Sequence, residues 1–376
     1  MYKQFARMLS NGSVFFGVFL SLAYMLAKAP LLLWGQMELN PPKLLLALFL
    51  LSSLLLSSVV LLVRFRRVYG CCFLVLFNIL FLLNLIANDF SSFGFFKYAS
   101  LSILISLTAI VYCITPKRHS LAEVLLVFAG LLAIYGCLAV LWEVIKGQQF
   151  ALRESIGLNG PIVFGQLMVI SSALFLLYGN RRFIIASVPA ALSLLSFSKG
   201  PILSGLFILF LKRKKIFVLL LLLLPVFALM SPIDLFDNRL FYFIESLYEA
   251  VASSDTSLLF SGSNYGSIGS RLDQYVLAVN LLSEHPLGIG LGQWSLVSEH
   301  EYPHNYLVEI LVEQGLVFGL GSLLAVLFFF TKITDRNLKY VVVMFFLFSM
   351  FSGSIVDNRG IYLVILLGLL YRQSEY

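Results

Sequence analysis

The chain has 376 residues, of which 60% are hydrophobic and only 12% charged, and its mean hydropathy is +0.95. A soluble domain carries about 25% charged residues, so a soluble enzyme, a nucleic-acid-binding domain and a disordered scaffold are excluded as main interpretations. About twelve membrane spans of about 20 residues would use roughly 240 positions, which this apolar content can supply. The net charge of +7 fits cytoplasmic loops rich in Lys and Arg better than it fits nucleic acid binding.

Apolar runs bounded by charged or turn residues predict an all-α integral membrane protein, a bundle of about twelve transmembrane helices. In chain order the runs are 13–34, 43–63, 70–88, 98–115, 121–143, 162–180, 183–198, 200–211, 216–231, 305–331, 338–356 and 360–371. Most Lys and Arg residues fall in every second connection, so the positive-inside rule predicts that both termini are cytoplasmic. The four cysteines lack metal-ligand spacing and have no neighbouring His, so we expect no metal site.

One connection, from about 232 to 304, is much longer than ordinary loops and too hydrophobic to be disordered. Helical spacing of apolar residues predicts two amphipathic helices within it, at 240–251 and 271–284. We therefore predict three parts: transmembrane helices 1–9 in 1–231, a periplasmic loop in 232–304, and transmembrane helices 10–12 in 305–376.

Two of the predicted spans are too short to cross a bilayer between their flanking charges. Lys199 lies 13 residues before Lys212, and Arg359 lies 13 residues before Arg372. This length is about 20 Å of helix, against a hydrocarbon core of about 30 Å. We therefore predict that Lys199 and Arg359 border an outward-facing cavity at membrane depth. The alternative is that the bilayer thins locally around short helices.

The predicted outer side holds few cations, and several of them fall near the long loop. Arg153, Arg271 and Lys199, with Arg359, would suit a diphosphate, because Arg binds phosphate oxygens bidentately and Lys supplies a point charge. His304 precedes the tenth span, and the positive end of a helix favours a neutral imidazole that can act as a general base. Taken alone, His304 could be only a helix-entry residue, and Arg271 could pair with acidic neighbours or lipid phosphates.

This arrangement resembles the bacterial O-antigen polymerases and O-antigen ligases. The resemblance covers about residues 120–330. Two of the segments that carry it are the Arg-containing loop of residues 153–161 and the Ser-Lys-Gly sequence of residues 198–200. The other two are the segment from Arg271 to the glycine-rich turn of residues 285–292, and the His-Asn sequence of residues 304–305, which is followed by Gly315, Gly319 and Gly321.

The resemblance implies glycosyl transfer at the periplasmic face of the bacterial inner membrane, without cofactor, nucleotide sugar or catalytic metal. The implied donor is a glycan on undecaprenyl diphosphate, and the implied partners are this lipid-linked oligosaccharide, membrane lipid and a chain-length regulator protein. It assigns catalysis to His304 as general base with Arg271, and diphosphate binding to Arg271 and the position of Lys199. The further candidate substrate-binding residues are Arg153, Arg359 and Asn305.

Lys199 stands where an Arg is expected in the ligases, which favours a polymerase that transfers the glycan onto another lipid-linked repeat unit. The first alternative is a ligase that transfers the glycan to lipid A–core. A second alternative is a polytopic transporter or glycolipid flippase, but we find no repeat between the two halves of the chain, as many transporters have.

Overall fold

The computed structural model describes residues 12–28, 67–88, 92–115, 120–145, 160–179, 183–194, 196, 199–212, 266–298, 300, 302–351 and 354–371. All regular secondary structure within these ranges is helical. The helices are α1 (Gly12–Lys28), α2 (Val68–Ala87), α3 (Ser92–Ile114), α4 (Leu121–Ile145), α5 (Gly160–Tyr178), α6 (Phe183–Leu194), α7 (Lys199–Lys212), α8 (Gly266–Glu284), α9 (Trp294–Val297), α10 (Tyr306–Lys332), α11 (Arg336–Phe351) and α12 (Gly360–Leu370).

The predicted all-α class is confirmed for the described part of the chain. Ten of the twelve predicted runs overlap with a helix, while 43–63 and 216–231, like the predicted amphipathic helix at 240–251, lie outside the described residues. Among the residues that the structure describes, four helices are long and apolar enough to cross a membrane, namely α2, α3, α4 and α10. Shorter apolar helices include α7 and α12, so the protein is a multi-pass membrane protein whose number of spans stays a prediction.

Several helix ends meet at one end of the bundle, which we call the basic end. The phenol of Tyr178, at the end of α5, donates a hydrogen bond of 3.0 Å to Asp335, which lies between α10 and α11. The ammonium of Lys332 lies 5.6 Å from the ring centroid of Tyr69 at the start of α2. The basic residues here are Arg67, Lys332, Arg336 and Lys339. Their clustering agrees with the predicted alternation of basic connections, and the assignment of this end to the cytoplasm stays a prediction.

Helix α12 forms the centre of the described bundle. All its residues are buried, and it packs against α2, α3, α10 and α11. A helix that is apolar on every face can be accommodated only where it is surrounded by other elements. The hydroxyl groups of Tyr362 on α12 and Tyr306 on α10 share a hydrogen bond of 2.6 Å inside this core.

Helix α10 is kinked at Gly315, where φ is +72° and ψ is −179°. These angles are accessible essentially only to glycine. The kink divides α10 into a short arm, residues 306–314, and a longer part that runs from 316 to the basic end. The helix therefore loses part of its internal hydrogen bonding between the two segments, and those backbone groups need other partners.

The turn formed by residues 285–292 supplies these partners. Its hydrogen bonds with α10 run from Ile289 N to Val312 O (3.0 Å), from Gly290 N to Glu313 O (3.0 Å) and from Leu316 N to Pro286 O (2.8 Å). Gly288 packs so closely against Gly315 that a Cβ atom on Gly288 would lie 2.5 Å from the Gly315 nitrogen. The predicted glycine turn is thus present, with positive φ at Gly288, Gly290 and Gly292. The backbone that it approaches closely is that of α10.

A second, smaller core joins α8 and α9 to the short arm. Its buried members are Ala278, Leu281, Trp294 and Val312. A helix at the predicted position 271–284 is confirmed as α8, which begins five residues earlier and ends, as predicted, before His285-Pro286, while its predicted amphipathic character stays a prediction. Val279, on another face of α8, is 67% exposed. The end of the long loop is therefore anchored on the helix that follows it.

Candidate active site

His304 lies directly before the N-terminus of the short arm and has a strained backbone. Asn305 is the N-cap, and its side-chain oxygen accepts hydrogen bonds from the backbone N–H groups of Leu307 (3.0 Å) and Val308 (3.3 Å). His304 has φ of +53°, and no other non-glycine residue in the described ranges has a positive φ. A left-handed conformation costs energy for a side chain, and such strain is concentrated at functional sites.

The surroundings of His304 favour the neutral imidazole. Its ring lies 4.6 Å from the ring of Tyr302 and 6.2 Å from that of His300, measured between centroids. Burial lowers the pKa of His304 below its usual value of 6.5, and electrostatic interactions with Arg271 and His300 lower it further. Its Nδ1 atom is buried and has no hydrogen-bond partner within the described ranges. The imidazole can therefore accept a proton near neutral pH.

Arg271, in the second turn of α8, is half-buried and close enough to His304 for its charge to affect the imidazole. The structure therefore brings together the predicted base and the predicted diphosphate clamp, which lie 33 positions apart in the sequence. A guanidinium beside a neutral imidazole can bind an anionic group while the imidazole accepts a proton from a neighbouring hydroxyl.

Arg359 ends the turn of residues 354–359, immediately before α12, and only 2% of it is exposed. Its guanidinium lies within electrostatic reach of Tyr24 and Asp357, and its Nε atom is buried without a hydrogen-bond partner in the described structure. The carboxylate of Asp357 accepts a hydrogen bond of 2.9 Å from the N–H of Ser354. An incompletely paired guanidinium in an apolar interior is costly, and such groups usually face a polar ligand or water.

For the remaining predicted site residues, Lys199, Arg153 and Asn305, the structure gives fewer contacts. Helix α7 begins at Lys199, as the short span predicted, and Arg153 lies outside the described residues. The side-chain oxygen of Asn305 is used by the helix cap, so a contact with substrate would involve its NH₂ group. Two small apolar cavities lie between the helices, and no predicted site residue lines either of them. The outward-facing cavity bordered by Lys199, Arg271 and Arg359 stays a prediction.

The structure also contains a buried ionic cluster that the sequence analysis missed. Its members are Lys97 on α3 and two carboxylates on the short arm, Glu309 and Glu313. The ammonium of Lys97 lies 2.5 Å from Oε1 of Glu309 and 2.7 Å from Oε1 of Glu313. Lys97 is 3% exposed and both carboxylates are fully buried. Buried charges of this kind are tolerated only when they are paired and hydrogen-bonded.

The two carboxylates of this cluster differ in their second oxygen. Oε2 of Glu309 accepts a hydrogen bond of 2.8 Å from the backbone N–H of Ile355, in the same turn as Arg359. Oε2 of Glu313 is buried and has no partner among the residues that the structure describes. Glu309 alone therefore connects Lys97 and the short arm with the turn of residues 354–359.

A sequence signal for this cluster exists. Glu309 and Glu313 are four positions apart in an apolar run, so they lie on one face of a membrane helix. Ionisable residues inside such a helix indicate a buried partner or a functional site. The predicted run 98–115 leaves Lys97 just outside the span, but α3 begins at Ser92, because pairing with the two carboxylates allows the ammonium to lie inside the bundle.

A family model described as O-antigen ligase matches residues 156–321 of this chain. The matched segment contains Lys199, Arg271, His304 and Asn305, whereas Lys97 and Arg359 lie outside it. A search of curated proteins gives no match. The family comprises glycosyl-transferring enzymes that act on lipid-linked glycans. Within the described ranges no group of three or more His, Cys, Asp or Glu side chains could hold a metal ion. The match covers less than half of the chain, and over residues 156–321 it supports the assignment to the O-antigen polymerase and ligase family that the sequence motifs predicted.

Proposed function

We propose that this protein is an O-antigen polymerase of the bacterial inner membrane. It transfers a glycan from undecaprenyl diphosphate to a hydroxyl group of another lipid-linked repeat unit, at the periplasmic face. The observation that carries this proposal is that His304, which has a strained backbone and a lowered pKa, lies within electrostatic reach of Arg271 at the end of α10 remote from Lys332 and the basic end. Together they combine a proton acceptor with an anion-binding cation.

The proposed reaction needs two contributions from these residues. As the acceptor oxygen forms its bond with the anomeric carbon, the imidazole of His304 takes the hydroxyl proton. The bond from that carbon to the diphosphate oxygen breaks, and the electron pair leaves with undecaprenyl diphosphate. Arg271 and Lys199 stabilise the negative charge that develops on this leaving group, which is the main electrostatic demand of the step. No metal ion is required in this scheme.

The other predicted residues complete the proposed site. Arg359 supplies a buried guanidinium, and Arg153 and Asn305 add contacts to the donor or the acceptor. The segment 232–304 is proposed to lie at the periplasmic face between the transmembrane parts 1–231 and 305–376. In this arrangement a lipid-linked substrate reaches the site from the outer leaflet, and a chain-length regulator protein would contact the same face.

A polymerase is favoured over a ligase because Lys199 replaces the Arg expected in the ligases. A lysine binds phosphate through a point charge and lacks the planar bidentate geometry of arginine. The acceptor, however, decides between the two activities. A polymerase uses a lipid-linked repeat unit, and a ligase uses lipid A–core.

Complementation of a strain that lacks the chromosomal gene tests the proposal. The wild-type gene should restore long glycan chains on lipopolysaccharide. The variant His304→Ala should leave single-repeat caps, because a positioned general base contributes about 10²–10⁴ in rate. The matched control is His285→Ala, since His285 is an exposed residue of the turn that follows α8. Membrane-fraction immunoblots verify equal amounts of each variant.

The phenotype of the deletion strain separates the candidate functions. Single-repeat caps indicate a polymerase, bare core with accumulated long chains on the lipid carrier indicates a ligase, and internal accumulation of lipid-linked repeats indicates a flippase. Normal chain length with His304→Ala would remove the catalytic role of His304 and leave this residue as part of a helix entry.

A further inference from the structure

We infer that Glu309 is a positioning residue that fixes His304 relative to Arg359, by linking the short arm to Lys97 and to the turn of residues 354–359. The inference rests on the proposed function, because it concerns the alignment of the proposed base with a proposed diphosphate-binding cation. It assigns a role to a buried carboxylate that does not itself touch the substrate.

The link is made through both oxygens of one carboxylate. Oε1 of Glu309 contacts the ammonium of Lys97 at 2.5 Å, and Oε2 accepts the N–H of Ile355 at 2.8 Å. Glu309 follows His304 by five residues on the short arm, and Ile355 precedes Arg359 by four residues in its turn. A single side chain therefore sets the distance between the segments that carry the two proposed site residues.

The short arm depends on such external contacts. It has only nine residues before the kink at Gly315, and a helix of this length is not stable by itself. The turn of residues 285–292 holds its C-terminal end through Val312 and Glu313. Near the N-terminal end, where His304 lies, the polar contacts within the described structure include the Asn305 cap, the Tyr306–Tyr362 hydrogen bond and the Glu309 link. Hydrogen bonds to a charged group are the strongest of these.

Glu313 provides an internal control for this inference. It lies one turn further along the same arm, it is equally buried, and it contacts the same ammonium at 2.7 Å. Its second oxygen has no partner within the described ranges, so its side chain does not reach the turn of residues 354–359. In Glu313→Gln the amide oxygen can still accept from Lys97, and the NH₂ group takes the place of the unpaired oxygen. The cluster then also loses its excess negative charge.

Glu309→Gln changes the same chemical group but breaks the link. An amide has one acceptor oxygen, which can face Lys97 or the Ile355 N–H, whereas its NH₂ group would meet the other donor. We therefore expect the short arm and the turn of residues 354–359 to shift against each other. A displacement of about 1 Å in a catalytic group can lower turnover about 10²-fold.

The experiment measures chain growth by the purified full-length protein with lipid-linked repeat units extracted from the deletion strain. Glu309→Gln should lower kcat about 10²-fold, while Glu313→Gln keeps the wild-type kcat. The acid limb of the pH–rate profile should also move to higher pH in Glu309→Gln, because a shift of the short arm against the turn of residues 354–359 removes part of the burial that lowers the pKa of His304. A smaller fraction of folded protein would reduce the rate without moving this limb.

A second Glu309 variant covers the case in which the first one does not fold. If Glu309→Gln does not fold, Glu309→Asp replaces it, because this variant keeps the negative charge but is too short to reach both partners, and it should lose at least about tenfold in kcat. Wild-type kcat and pH profile in the folded Glu309 variant would overturn the inference, as would equal losses in the Glu309 and Glu313 variants. The proposed function fails separately, if wild-type protein forms no polymer or if His304→Ala remains active in the same assay.

Discussion

The kink in α10 can be tested with Gly315→Ala, a change of one methyl group. The backbone of Gly315 has φ of +72° and ψ of −179°, a region that side chains do not normally occupy. A Cβ atom there would lie 2.1 Å from the carbonyl carbon of Leu287. The contacted atom belongs to the backbone, so no side-chain rotation can relieve the overlap. The turn of residues 285–292 has to move away from α10.

The expected magnitude follows from these two effects. The unfavourable backbone conformation costs roughly 1–3 kcal/mol. Separation of the turn from α10 breaks the three hydrogen bonds that join them, each with a net contribution of about 1 kcal/mol. The sum, on the order of 5 kcal/mol, is comparable to the whole free energy of unfolding of many proteins. We therefore expect local separation of α8 and α9 from the short arm, or loss of the folded protein.

The emission of Trp294 reports this change, because its side chain is fully buried in the small core between α9 and the short arm. With Trp34 and Trp142 replaced by Phe, thermal unfolding in detergent can be followed at this residue alone. The control is Gly321→Ala on the same helix, where a Cβ atom would make an ordinary contact of 3.6 Å with Leu80. It should be neutral or stabilise by up to about 1 kcal/mol. Equal unfolding midpoints for Gly315→Ala and wild type would refute this account of the kink.

Three further predictions concern the proposed site. Activity should fall as the pH drops through the lowered pKa of His304, because only the neutral imidazole accepts a proton. His300→Ala should move this fall to higher pH, because the substitution removes one of the causes that lower the pKa of His304. An unchanged acid limb in the pH–rate profile of His300→Ala would contradict the electrostatic argument. Arg271→Lys should lose nearly as much chain growth as Arg271→Ala if bidentate binding is essential, whereas Lys199→Arg should stay active, since that position is already served by a point charge. Quantified lipopolysaccharide ladders measure chain growth in the Arg271 and Lys199 variants. Full activity of Arg271→Lys would show that positive charge alone suffices at position 271.

The helices and their ends could be predicted because they depend on local properties. Hydropathy predicted twelve apolar runs, and all ten that fall within the described residues overlap with a helix. The end of α8 was set by Glu284 and the following His-Pro, and the start of α10 by the Asn305 cap, which are features of neighbouring residues. For the same reason the proximity of His304 to a helix N-terminus was predictable.

The ionic cluster and the kink were not predicted, because each depends on residues far apart in the chain. Lys97 is 212 positions from Glu309 and 216 from Glu313. Before the pairing is known, Lys97 resembles the end of a span and the carboxylates resemble tolerated polar residues. The conformation of Gly315 likewise depends on the turn of residues 285–292, which packs against it and is distant from it in the sequence.

The contacts of the short arm also show why the matched family segment is not sufficient to build the proposed site. Residues 156–321 include His304, Arg271 and the turn that packs against the kink. The ammonium that pairs with Glu309 comes from α3, before this segment, and the N–H of Ile355 comes after it. Because the arm is too short to be stable alone, elements at both ends of the chain determine the orientation of the base. Lys97→Met, and Ile355→Pro, which removes the donating N–H, should therefore affect catalysis through His304, although neither residue lies in the segment that matches the family model.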